Sequence, residues 1–334
     1  MRAIVMTSVG GPEVLVERDV PAPQPGVGEV VIRAEAIGVH FAETQLRSGI
    51  FPSPAVPPFV FGGEAAGTVV EVGAGVDRGM HGARVIATTD GTGAYAERVV
   101  AAAAAAVRVP DGLSLTDAVA VAVPGAVALT LLRAADLRGG EVVLVEAAAT
   151  GVGAYLTQLA GEFGAARILA TAGAADKRDR ARSFGADDVI DHADPDWPGR
   201  VREVLGDATI DVAFESIGGE SAAQLLDLMT PLAGRMLFYG LLSGRPAAVG
   251  SADLLARGLT LTGCGGPAWL GRVAAARAEI LERAAAGTVT PVVDSILPLG
   301  DAALAHERIE KRAATGKVIL APTVSASASE FFSV

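Results

Sequence analysis

Between residues 141 and 263 apolar β segments alternate with helical ones, and no other feature restricts the fold of this chain so strongly. EVVLVEA (141–147) has the continuous apolar character of a buried strand, and GVGAYLTQLAGEFG then reads as a helix ending at Gly164. ARILATA, the helical DKRDRARSFG, DDVID, TIDVAFESIG, SAAQLLDLM, GRMLFYG and GLTLTG continue the rhythm. Strand–helix–strand units of this length predict an α/β fold with a doubly wound parallel sheet. The flanks read differently. Up to about residue 112, RAIVMT, EVVIRAEAIGV, AAGTVVEVG and ARVIAT are short strands between turn signals such as PAPQPGVGE and GAGVDRG, which predicts a coiled, barrel-like sheet. The prolines of FPSPAVPPF mark an extended loop. SLTDAVAVAVPGAVALTLLRAADL predicts a helix capped by Ser114 and broken at Pro124. RVAAARAEILERAAAG reads as a helix and GKVILAP as a last strand, while the tail SASASEFFSV is expected to be disordered.

Composition narrows the function classes. With 334 residues the chain has room for about two domains, and 51% hydrophobic against 19% charged residues excludes a disordered chain. A net charge of −11 opposes any general attraction to nucleic acid or an anionic membrane. One cysteine, Cys264, excludes an intrachain disulfide or a cysteine-cluster zinc site and suits a reducing cytosol. The apolar stretch Ala118–Leu132 carries Pro124 and Gly125 and falls short of the roughly 20 residues a bilayer requires. MRAIVMTSVGGPEVL has no apolar core after Arg2 and does not read as a signal peptide. The expectation is a cytoplasmic protein without a nucleic-acid or membrane partner.

The turn after EVVLVEA reads Ala148, Ala149, Thr150, Gly151, Val152, Gly153. A dinucleotide fingerprint places glycine at the first, third and sixth positions, for the tight turn, the approach of pyrophosphate and the packing of the helix. Only Gly153 meets that pattern, but the context of buried strand, turn and helix N-terminus suits a phosphate. At the end of the next strand, where NAD sites usually carry an acid, stand Ala172 and Gly173, followed by Lys177 and Arg178. The missing carboxylate and the nearby cations favour NADPH over NADH. As a charge run, DKRDR also reads as a solvated helix start.

GGPEVLVERDVPAPQPGVGEVVIRAEAIGV, RSGIFP, PFVFGGEAAGTVVEVGAGV, GAYAERVV, VEAAATGVGAYLTQLA, GADDVID, DVAFESIGG and TGKVIL stand in this order along the chain. In order and spacing the chain resembles the zinc-independent, ζ-crystallin-like quinone oxidoreductases of the medium-chain dehydrogenase/reductase superfamily over residues 1–322. The resemblance implies a GroES-like β-rich catalytic domain formed by 1–122 and 263–334, with a Rossmann domain, 123–262, inserted. It implies NADPH bound between domains, and homodimers formed through the edge strand matching GLTLTG (258–263). It also implies cofactor contacts from His40, Pro124, Ser216, Tyr239, Gly240 and Lys317, with His192 where relatives often stack a tyrosine near adenine. Several of these, Ser216 and Tyr239 among them, read equally as ordinary strand-end packing.

Zinc-dependent relatives use a cysteine, the histidine of a GHE segment and a third ligand. Here His40 stands at the cysteine position and GGE (62–64) replaces GHE, so Gly63 removes a ligand, and no metal is expected. Direct hydride transfer to a quinone or an α,β-unsaturated carbonyl follows, because such acceptors spread the incoming charge onto oxygen. The family usually has asparagine at His40 and often tyrosine at Phe51. His40 is therefore the candidate catalytic donor or a filler of the nicotinamide pocket, and Phe51 cannot donate. Arg47 matches a family arginine of structural character. A tailoring or enoyl reductase of polyketide-type substrates is a second reading, and a non-catalytic NADPH-binding protein a third.

Overall fold

The structure is a computed structural model that describes residues 1–322; the tail SASASEFFSV lies outside the described residues. The chain divides into two compact units, one of Met1–Ala122 with the residues from Ala278 onward, the other Val123–Arg277. Both changes of unit fall within helices. The second comes later than the 262/263 boundary suggested by the sequence, because the helix that follows residue 263 begins in one unit and ends in the other.

The first unit opens with β1 (Arg2–Met6), β2 (Leu15–Asp19) and β3 (Glu29–Gly38), then α1 (Phe41–Ser48), β4 (Phe59–Val60) and β5 (Glu64–Val72). β6 (Arg84–Thr88), β7 (Arg98–Ala102) and β8 (Ala106–Arg108) follow. Helix α2 (Leu115–Ala135) leads into the second unit. There β9 (Glu141–Val145), α3 (Gly151–Leu159), β10 (Ala165–Thr171), α4 (Ala175–Ser183), β11 (Asp188–Ile190) and α5 (Trp197–Leu205) alternate. β12 (Val212–Glu215), α6 (Glu220–Leu226), β13 (Arg235–Phe238), α7 (Ser251–Arg257) and β14 (Thr260–Gly263) complete the series. Helix α8 (Gly266–Ala285) leads back to β15 (Val293–Pro298), α9 (Ala302–Glu310) and β16 (Lys317–Ala321).

In the first unit a seven-stranded sheet runs β15-β16-β3-β5-β6-β8, with β7 also paired to β3, beside a three-stranded sheet β2-β1-β4. Register shifts between β3 and β5 bend this sheet, as bulges do, and Ile4, Met6, Ile37, Phe61, Tyr95 and Leu320 pack beneath it. In the second unit six parallel strands run β11-β10-β9-β12-β13-β14. The order steps outward from β9 on one side and from β12 on the other. Such a switch point opens a crevice at the carboxyl ends of the two strands.

Two local expectations fail for physical reasons. Ser114 caps α2 as the sequence suggests, its Oγ accepting from Asp117 N–H at 3.0 Å, but the helix runs unbroken through Pro124. Residues on both sides of the proline, among them Val119, Val121, Leu129 and Leu131, are fully buried, and that packing outweighs the lost hydrogen bond. By length and composition α2 could cross a membrane, but 67% of its most apolar window is buried inside the protein, as in a core helix. Helix α3 stops at Leu159, and the residues to Gly164 close the segment in turns.

Candidate active site

The second unit presents its small residues at the carboxyl end of β9. Gly153 has to be glycine: a Cβ there would lie 2.4 Å from the Ala147 carbonyl oxygen, so α3 packs directly on the end of the strand. Thr150 is the N-cap of α3 with extended dihedrals, and its side chain makes no capping bond. The first-turn N–H groups are thus uncapped by Thr150, at the switch point, on a helix whose dipole favours an anion. Ser216 Oγ, at the end of neighbouring β12, is buried without a hydrogen-bond partner among the described residues. Both features fit a dinucleotide phosphate.

The other sequence candidates of this unit fall at strand ends too. Thr171, the last residue of β10, accepts from Ala147 N–H, and its hydroxyl meets His192 Nδ1 at 3.3 Å. His192 also sits against Gly173, where a Cβ would lie 3.0 Å from its Nε2. Arg178 is committed elsewhere, to the Gly173 carbonyl and to Asp191, each at 2.6 Å. Lys177 stands half-buried in the first turn of α4 and is the candidate cation for a 2′-phosphate. Tyr239 and Gly240 follow β13, and the chain just beyond them is tied to β12 by Leu242 N–H donating to the Ser216 carbonyl at 3.0 Å. Pro124 lies within α2.

Two acids at this switch point escaped the sequence reading. Glu146 and Glu215, one residue beyond β9 and the last of β12, are fully buried. Glu146 accepts from Ser216 N–H at 2.9 Å and from Ser221 Oγ at 2.7 Å. Burial, then the charge of Glu146, pushes the Glu215 carboxyl up to about 8, and burial raises Glu146 as well. Burial raises the Tyr239 hydroxyl further, with both acids adding to it. The signal was visible: an acid ends each of two otherwise apolar strands.

In the first unit, sheet register assembles the second cluster. β16 runs antiparallel to β3 with Ile319 opposite Gly38, and continuing that register by two residues sets Lys317 opposite His40. β3 pairs with β5, Ile37 opposite Ala65, which brings Glu64 level with Gly38. A Cβ at residue 38 would sit 2.2 Å from Glu64 Oε2 and 2.7 Å from Lys317 Cε, so the cluster closes over a bare backbone. Lys317 Nζ and His40 Nε2 each lie 3.0 Å from Glu64 Oε2. Lys317 Nζ is also 3.2 Å from His40 Nδ1. It is as close to His40 Nε2, at 3.1 Å, so neither ring nitrogen is singled out as its partner, and Glu64 is held by the two ion pairs. Burial alone would raise the Glu64 carboxyl, but Lys317 and His40 together hold it down to about 2. Glu64 has none of its side chain exposed, whereas His40 keeps 22%.

A zinc ion does not fit this donor set. The ammonium of Lys317 already supplies the positive charge between Glu64 and His40. Gly63 offers only its backbone N–H, which Glu43 Oε1 accepts at 2.7 Å. Among the described residues no group of three His, Cys, Asp or Glu side chains is placed to hold a metal.

Behind His40 runs a buried polar chain. Glu43 Oε2 accepts from the His40 backbone N–H at 2.8 Å and from Tyr95 OH at 2.7 Å. Tyr95 OH lies 3.1 Å from His306 Nε2, and Arg47 Nε donates to His306 Nδ1 at 3.3 Å. Arg47 also pairs with Glu310 and the Gly10 carbonyl. Burial, helped by the Arg47 charge, lowers His306 to about 3, so its neutral ring accepts at Nδ1 and donates at Nε2. Every member has a partner, and the chain fixes the N-terminus of α1, where His40 is the N-cap. Arg47 therefore acts as an internal anchor.

A doubly wound dinucleotide fold inserted into a GroES-like β unit defines the two-domain architecture of medium-chain dehydrogenases. Residues 26–111 match the family model described as alcohol dehydrogenase GroES-like domain, and 151–282 the model described as zinc-binding dehydrogenase. The chain is 34% identical to the quinone oxidoreductase of Pseudomonas aeruginosa, over 96% of this chain and 99% of that one. Against the 2-haloacrylate reductase of a Burkholderia species the identity is also 34%, over 96% and 98%. The solved structure of Escherichia coli quinone oxidoreductase complexed with NADPH superposes with a TM-score of 0.88 at 32% identity, covering 96% of this chain and all of that one. The chain belongs to the zinc-independent quinone oxidoreductase branch of the medium-chain dehydrogenase/reductase superfamily.

Proposed function

We propose that this protein is an NADPH-dependent reductase that transfers hydride to a quinone or another α,β-unsaturated carbonyl, without a metal. The observation that carries the reading is the His40–Glu64–Lys317 cluster, in which a fully ionised, buried carboxylate holds two nitrogen donors in place. NADPH, when bound, supplies the hydride. Lys317 and His40 offer N–H groups to the acceptor oxygen as it gains negative charge, and Glu64 keeps those groups oriented. His40 is the candidate proton donor, because 22% of its side chain is exposed, against 7% for Lys317 and none for Glu64. Ala148–Gly153, with Ser216, would hold the pyrophosphate, and Lys177 the 2′-phosphate that distinguishes NADPH from NADH.

Both a quinone and a halogenated acrylate are electron-poor alkenes conjugated to a carbonyl, which is the substrate class common to the relatives' names. The single cysteine and the acidic charge suit a reducing cytosol. Among the described residues β14 pairs with β13 on one side only, and Leu255 and Leu270 nearby in sequence are 86% and 62% exposed, which supports a homodimer formed along that edge.

The test is a screen of quinones, enones and 2-haloacrylates for oxidation of NADPH, repeated with His40→Ala. The variant is expected to keep its Kd for NADPH while kcat falls by about 10²-fold or more. Full turnover by His40→Ala would leave proton delivery to solvent, and no oxidation with any acceptor would refute the reading.

A further inference from the structure

Glu146 and Glu215 converge on one backbone donor: the Ile217 N–H lies 3.0 Å from Glu215 Oε1 and 3.3 Å from Glu146 Oε2. The same two carboxylates hold the rest of the turn. Glu146 takes Ser216 N–H, and Glu215 takes Gly218 N–H. The groups that shift the two acids most are each other and the donors of the turn; the ionisable neighbour beyond β13 is Tyr239, and α6 contributes the Ser221 hydroxyl. Glu215 Oε2 is buried with no hydrogen-bond partner among the described residues. Two buried carboxylates so placed cannot both ionise cheaply, and a single proton between them relieves the repulsion. We propose that Glu146 and Glu215 form a proton-sharing pair that positions the Ser216–Gly218 turn for the dinucleotide, so that cofactor affinity depends on the shared proton. The proposal rests on the NADPH reading above.

The physical consequence is directional. With one proton shared, the pair carries a single negative charge and both acids keep their N–H partners. Loss of the proton, centred at about 8, places two like charges around Ile217 and beside a site for anionic phosphates. The turn loosens and the phosphates are repelled, so NADPH binds less tightly as pH rises. Binding of the cofactor should accordingly take up protons near that pH.

The full-length protein decides this through fluorescence titration with NADPH from about pH 7 to 9.5, a range above the second ionisation of a phosphate monoester at about 6. For wild type the Kd is expected to rise by up to about tenfold per pH unit above the transition. Glu215→Gln keeps an acceptor for Ile217 and Gly218 and mimics the protonated acid, so its Kd should vary by less than about twofold over the range. Glu215→Ala removes charge and acceptor together and should bind weakly at every pH, with Glu215→Gln restoring affinity. A wild-type Kd independent of pH, or a Glu215→Gln variant that retains the wild-type slope, overturns the proposal. If no NADPH binds at any pH, the cofactor reading fails instead, and melting of the cofactor-free protein decides on the pair. A Tm that falls between about pH 5 and 8 in wild type, but not in Glu215→Gln, upholds proton sharing, and identical curves refute it.

Discussion

Glu64 and Glu215 invite comparison because they are the same residue, each on a buried strand with 0% exposure, in different units of the chain. Desolvation pushes both carboxyls upward. At Glu64 that push is overruled by Lys317 and His40, and the carboxyl is held at about 2. At Glu215 the neighbour is a second acid, and the carboxyl rises to about 8. Burial therefore sets the penalty for charge, and the sign of the neighbour decides whether the group escapes it by pairing or by keeping a proton. Each solution suits its place. Under the proposed chemistry an ionised Glu64 would orient donors toward a reacting oxygen, while a proton-holding pair would spare an anion site a further negative charge.

The largest expected effect comes from removing the neighbour that makes Glu64 different. Lys317→Met strands a buried carboxylate with His40 alone and should cost about 3–5 kcal/mol in denaturant unfolding, whereas the double variant Lys317→Met/Glu64→Gln should recover most of it. Unchanged stability in the single variant would mean that Lys317 does not neutralise Glu64.

The two acids should next divide the pH profile between them. Glu64 is depressed, so its contribution is present above its ordinary value of 4.5 and is lost as pH falls toward 2. Glu215 is raised, so its contribution is full below 4.5 and is lost as pH climbs to about 8. Glu215→Gln should flatten a stability–pH curve only between about pH 4.5 and 8, and Glu64→Gln only below about 4.5. A variant that alters the opposite limb would show the assignment to be reversed.

Gly38→Ala sharpens the geometry rather than the charge. Its methyl would enter the space of Glu64 Oε2 and Lys317 Cε, at an expected cost of about 1–3 kcal/mol with a loss of turnover. Wild-type melting and kinetics would refute the tight closure of the cluster. The smallest effect is that of Lys177→Ala, which should weaken NADPH about tenfold, or about 1.4 kcal/mol, and leave NADH nearly untouched. Equal losses for both cofactors would remove Lys177 from the 2′-phosphate site.

The second unit was the more legible in sequence because its signals are local. An apolar strand, a turn of small residues and a helix are contiguous from Glu141 to Leu159, and the fingerprint position that packing enforces, Gly153, is there to be read. Position 124 shows where local reading fails, since the fate of a proline depends on what buries the helix around it. The candidate site around His40 lies at the other extreme. His40, Glu64 and Lys317 are separated by as many as 277 residues, and sheet pairing alone brings them together. The resemblance pointed to His40 and Lys317 separately, but nothing in their spacing revealed that they touch. Glu146 and Glu215 stand in the sequence as acids closing apolar strands, yet their pairing depends on the strand order that makes β9 and β12 neighbours.

Gly63 also decides what a metal site at this place would require. A histidine restored there would meet Glu43 Oε1, the acceptor that now secures the Gly63 N–H and the start of α1, and it would face a Lys317 ammonium lodged between the other two would-be ligands. Reverting one residue would then produce a crowded cation site instead of a metal centre. At least the lysine would have to leave as well, and its departure alone strands Glu64. A zinc site here would therefore need at least two coupled changes, one of which by itself leaves the buried Glu64 with His40 alone.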